Sequence, residues 1–136
     1  LKKFVIDNSV VVSWLLEEEH VKKSREILNK LSSHQVCVPS IWPYELANAL
    51  FVAEKRNRIK EADSVAFICD LKNLPIIIED SSFERIGKDV LSLSREHKIT
   101  VYDASYIELA LREDLALASF DKEIIKICKK IGVVVI

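Results

Sequence analysis

The stretch FVIDNSVVVSWLL, residues 4–16, runs a strand, a carboxylate and a helix start together without a break. Phe4, Val5 and Ile6 are apolar with no polar alternation, the pattern of a strand covered on both faces. Asp7, Asn8 and Ser9 then supply three side chains able to cap a helix that runs through Trp14 and Leu16. An acid at this junction stands at the carboxyl end of its strand.

The same alternation extends outward along the chain. Residues 36–38, 76–79, 115–118 and 133–136 read as further strands, and longer amphipathic stretches separate them. A second helix is expected over residues 20–31. A third, over 44–56, opens at Ser40 and Pro43 with Ala47, Leu50 and Ala53 facing the core. A fourth covers 60–74 and stops at Pro75. The capping-box pattern Ser81-Ser82-Phe83-Glu84 opens a fifth, with Ile86, Val90 and Leu93 inward. Asp103 opens a sixth through Leu111, and Asp121 a seventh through Lys130, closed by Gly132. Strands joined through helices form a parallel sheet with helices on both faces, whose ligands collect at the carboxyl ends of the strands.

At 136 residues the chain reads as one domain, residues 1–136. With only two glycines, Gly87 and Gly132, neither a GxGxxG loop nor a P-loop can be written, and a nucleophile elbow is absent for the same reason. Three scattered cysteines without a CxxC pair fit a reduced, cytoplasmic protein, and the three histidines lack zinc spacing. No apolar run is long enough to cross a bilayer. A net charge of −1 gives no global argument for nucleic acid. The basic runs at Lys55, Arg56, Arg58 and Lys60 and at Lys122, Lys126, Lys129 and Lys130 read as solvated helix faces as readily as RNA contacts.

Four acids remain that follow strands or open helices: Asp7, Glu45, Asp103 and Asp121. Singly, three are explained as helix caps and Glu45 as a first-turn acid on the helix dipole, with Asn48 on its face. Their positions after strands and at helix starts suggest one shared sheet edge. Two such charges about 5 Å apart at an effective dielectric near 20 repel by roughly 3 kcal/mol, so a gathering of four calls for divalent cations.

Four segments carry a family resemblance. FVIDNSVVVSWLLEEE, VPSIWPYELANAL, ITVYDASYIELALRED and LALASFDKEI, in this order, resemble the four blocks of the PIN-domain ribonucleases and, within them, the VapC-type toxins of toxin–antitoxin pairs. The resemblance implies a three-layer α/β/α fold with a central parallel five-stranded sheet in the order 3-2-1-4-5. It implies an endoribonuclease that depends on Mg²⁺ or Mn²⁺, leaving a 5′-phosphate and a 3′-hydroxyl. Asp7, Glu45 and Asp103 would be the main ligands, Asp121 would complete or orient the site, and Ser9, Asn48 and Ser119 would orient carboxylates or water. RNA as substrate, a cognate antitoxin protein blocking the acidic cleft, and a homodimer are further implications. Two alternatives stand beside this reading: a receiver-like signalling domain with Asp80 as phosphoacceptor, and a catalytically silent PIN-like binding module.

Overall fold

A computed structural model describes residues 2–16 and 19–136. Its elements run β1 (Lys2–Ile6), α1 (Asn8–Ser13), α2 (Val21–Lys30), β2 (His34–Pro39), α3 (Trp42–Lys55), α4 (Glu61–Leu71), β3 (Ile76–Glu79), α5 (Phe83–Arg85), a π-helical turn (Ile86–Val90), α6 (Leu91–His97), α7 (Val101–Glu113), β4 (Leu117–Ala118) and α8 (Lys122–Ile131). The strands form one parallel sheet in the order β3-β2-β1-β4. β1 is central, and Val5 pairs with Cys37 on one side and Leu117 on the other. Phe4, Val5, Ile6, Val36 and Val38 are buried, as a sheet covered on both faces requires.

The expected fifth strand is reduced to one bridge. Residues 133–136 lie parallel to β4 and meet it only at Leu117 and Val135, with Leu117 N donating to Val134 O at 2.9 Å and Ile136 N to Leu117 O at 3.0 Å. The physical reason is the brevity of β4. After Ala118 the chain leaves the ladder to place Ser119 and start α8, so few positions remain for an outer strand to pair with.

Several helix details also differ from expectation. On α3 the buried stripe is Leu46, Leu50 and Ala53, whereas Ala47 is exposed. Leucine removes more apolar area from water than alanine, which decides the phase between two adjacent apolar residues. Ser82, not Ser81, caps α5 by accepting from Arg85 N at 3.1 Å, and Glu84 is a first-turn acid without a reciprocal box. The π turn then widens the helix by one residue, rotating Ile86 outward to 38 % exposure while Val90 stays buried. α4 ends at Leu71, short of Pro75. Gly132 closes α8 in the left-handed region at φ 86°, where a glycine carries no penalty. Among the described residues no helix is long and apolar enough to cross a membrane.

Candidate functional site

Asp7 follows β1 directly, and its backbone N–H donates to Ala118 O at 3.1 Å, which carries the β1–β4 ladder one step beyond the strands. That step brings Asp7 against Ser119. The Ser119 hydroxyl donates to Asp7 Oδ2 in a very short hydrogen bond, and the Ser9 hydroxyl donates to Oδ1 at 2.5 Å. Both hydroxyls also accept: Ser119 Oγ from Asp121 N at 2.9 Å, and Ser9 Oγ from Phe120 N at 3.0 Å. The two serines therefore tie the first acid to the turn that carries the last. The capping bond from Val10 N to Asp7 Oδ1 is long, at 3.3 Å. Asp7 is only 4 % exposed, and burial pushes its carboxyl up to about 6 despite the two hydroxyls, the Val10 amide working with them and the Asp121 charge against.

Asp121 caps α8, accepting from Glu123 N at 2.9 Å and Ile124 N at 3.1 Å. Both bonds fall on Oδ1, which leaves Oδ2 outside the cap. Asp103 does not open its helix. Thr100 is the N-cap of α7 and accepts from Asp103 N at 3.1 Å, so the Asp103 carboxylate lies in the first turn, free of the capping duty its position suggested. Burial raises the Asp103 carboxyl, and the charge of Asp121 raises it further. Glu45 stands in the first turn of α3, where its Oε1 accepts from the Tyr106 hydroxyl at 2.6 Å. Burial raises Glu45 as well, the Tyr106 bond opposes this, and Asp103 adds repulsion.

The four acids thus form a connected set, since Glu45 feels Asp103, and Asp103 and Asp7 both feel Asp121. Among the described residues no lysine, arginine or histidine forms an ion pair with any of them. Mutual repulsion without a protein counter-charge, on an all-oxygen donor set, is the chemistry a hard divalent cation satisfies. Among the described residues no three acids enclose a point at ligand distance. Three of them are drawn instead toward protein donors: Asp7 to two serines, Glu45 to Tyr106, and Asp121 to its own helix. An ion that keeps several of its waters fits such a spread set, because water bridges span what the carboxylates do not.

Asn48 is not drawn into this network. It is exposed on α3, and no hydrogen bond joins it to the acids among the described residues. Tyr106 was the residue the sequence reading passed over. Its signal was a tyrosine one helical turn after Asp103 inside an apolar helix, where a buried phenol requires a partner. The receiver-like alternative loses its basis here, because Asp80 follows β3, the edge strand, whereas the acids gather around central β1.

Comparison with known proteins agrees with this geometry. The PIN domain family model matches residues 4–130. Ribonuclease VapC3 of Pyrobaculum aerophilum is 24% identical over 122 residues, spanning 90% of this chain and 92% of that protein. The fold is similar to the crystal structure of PAE2754 from Pyrobaculum aerophilum, with a TM-score of 0.72 at 19% identity, covering 98% of this chain and 90% of that one. It is also similar to VapBC2 from Rickettsia felis bound to a DNA fragment from their promoter, with a TM-score of 0.69 at 13% identity over 98% of this chain and 97% of that one. With strand order, acid placement and a family match over nearly its whole length in agreement, the chain belongs to the PIN domain family.

Proposed function

We propose that the protein is a metal-dependent endoribonuclease acting as the toxin of a toxin–antitoxin pair. The observation that carries this reading is the convergence of Asp7, Glu45, Asp103 and Asp121 at one sheet edge with no protein cation among the described residues to offset them. Asp7, Glu45 and Asp103 would hold Mg²⁺ or Mn²⁺, directly or through water, with Asp121 completing the set through its uncapped oxygen. Such an ion supplies charge neutralisation at the scissile phosphate and acidity to the attacking water. Ser9 and Ser119 keep Asp7 oriented, and Asn48, exposed one turn beyond Glu45, would orient water. The products would carry a 5′-phosphate and a 3′-hydroxyl.

The similarity to Ribonuclease VapC3 supports an RNA substrate, and the VapC-type resemblance of the four sequence blocks supports an antitoxin partner. A homodimer is supported by the exposed apolar side chains Tyr44, Phe51, Phe83 and Tyr102, the first and third exposed by 77% and 90%. The free cysteines Cys37, Cys69 and Cys128 suit a protein of the reducing cytoplasm. The test is cleavage of RNA with Mg²⁺ or Mn²⁺, with EDTA as control, by wild type and Asp7→Asn. Cleavage that needs metal and is lost in the variant is expected. Equal cleavage by both proteins overturns the assignment, and no cleavage by wild type with either metal leaves the silent binding module in its place.

A further inference from the structure

We propose that Tyr106 is a positioning residue that holds Glu45 in its working orientation, an inference that rests on the metal-site reading above. Glu45 has a long side chain on the first turn of α3, half-buried, and with no tether it would sample several rotamers. Tyr106 removes that freedom. Its ring is 1% exposed and packed in the core, so its hydroxyl has a fixed position, and it reaches Glu45 Oε1 at 2.6 Å across 61 residues of sequence. That distance is the length of an O–H···O⁻ bond to an ionised acceptor.

The placement on α7 gives the bond its meaning. Asp103 and Tyr106 are three residues apart on one helix and so share a face. One rigid helix therefore presents an acid of its own and anchors the acid of another helix, setting the distance between the two. The bond occupies Oε1 and leaves Oε2 as the oxygen open to an ion or its water. A phenol suits this task better than a lysine or arginine. It donates a hydrogen bond without bringing a positive charge into a site that must attract cations.

The test is Mn²⁺ binding to the full chain, followed by electron paramagnetic resonance of the free ion, for wild type, Tyr106→Phe, Glu45→Gln and the double variant. Phenylalanine keeps the ring in the core and removes only the tether. Tyr106→Phe is expected to weaken Mn²⁺ binding about tenfold, the effect typical of losing a group that orients a ligand. The double variant should bind no more weakly than Glu45→Gln, because Tyr106 acts through Glu45. RNA cleavage by Tyr106→Phe should recover at saturating Mn²⁺. Wild-type affinity in Tyr106→Phe overturns the proposal, and so does a further tenfold loss on top of Glu45→Gln, which would mark a general structural effect. Wild type that binds no Mn²⁺ overturns the metal-site reading and this inference with it, whereas binding by wild type with no change in Tyr106→Phe removes the tether alone.

Discussion

Replacing Asp7 by asparagine should stabilise the metal-free protein, and the structure gives the size of the effect. Burial lifts the carboxyl from 3.8 to about 6, so the folded state binds the proton more tightly than the unfolded chain. Stability is then highest below the unfolded value and falls as pH rises through the window between 3.8 and about 6. That rise corresponds to roughly 3 kcal/mol of penalty above pH 7. Asparagine removes the charge but mismatches the hydroxyls that donate to both Asp7 oxygens, at a cost of about 1 kcal/mol or more. The net expectation is a gain of about 1–2 kcal/mol at pH 8 that disappears or reverses near pH 4. Urea unfolding in EDTA at several pH values measures it. A loss above about 1 kcal/mol at pH 8, or a difference that does not change with pH, refutes the reasoning and makes Asp7 a structural cap. With Mg²⁺ present the order should invert, since binding to the native state stabilises wild type and not the variant.

Other substitutions separate roles that overlap in one side chain. Asp121→Asn should leave stability within about 0.5 kcal/mol, because asparagine caps as well as aspartate, while RNA cleavage falls. Unchanged cleavage would confine Asp121 to capping. Ser119→Ala should cost about 1.5–3 kcal/mol in urea unfolding, the range for a hydrogen bond to a charged group, and should lower cleavage by releasing Asp7. A loss smaller than about 0.5 kcal/mol would count against the network. Thiol labelling of the native protein should modify Cys69 alone, since Cys37 and Cys128 are buried and burial with the nearby Asp7 charge pushes the Cys128 thiol up to about 11. Rapid native labelling at all three would contradict the packing of the sheet against α8.

Much of the fold was legible because its signals are local. The apolar residues Phe4, Val5 and Ile6 announce a central strand by their lack of alternation, and Ile76–Glu79 is a strand with the bounds expected. What escaped depended on neighbours. The brevity of β4, and with it the loss of the fifth strand, follows from where Ser119 must turn toward Asp7. The π turn at Ile86–Val90 leaves no pattern in an apolar period that fits an ordinary helix equally well. At the site, each acid was visible as a residue after a strand or in a first turn, and Ser9 and Ser119 as its short-range companions. Tyr106 was hidden, since a tyrosine in a buried helix stripe reads as core until its hydroxyl is seen on Glu45. Asn48 shares a helix face with Glu45, yet among the described residues no hydrogen bond joins it to the acids, so its adjacency alone does not make it part of the network.

Capping and ligation, which compete as explanations in the sequence, are compatible in the structure because a carboxylate has two oxygens and a helix has other caps to offer. Asp121 caps through Oδ1 alone. Asp103 yields the cap of α7 to Thr100. Asp7 makes a longer capping bond than either of Asp121's, at 3.3 Å, yet is the most buried and the most strongly shifted of the four acids. A bond of that length contributes at most about 1 kcal/mol, less than the roughly 3 kcal/mol that holding Asp7 ionised costs. Capping therefore does not account for an aspartate at position 7, where asparagine would cap equally well without the charge. An unfavourable buried carboxylate, held by two serines and with no protein counter-ion among the described residues, is what the proposed cation site would explain.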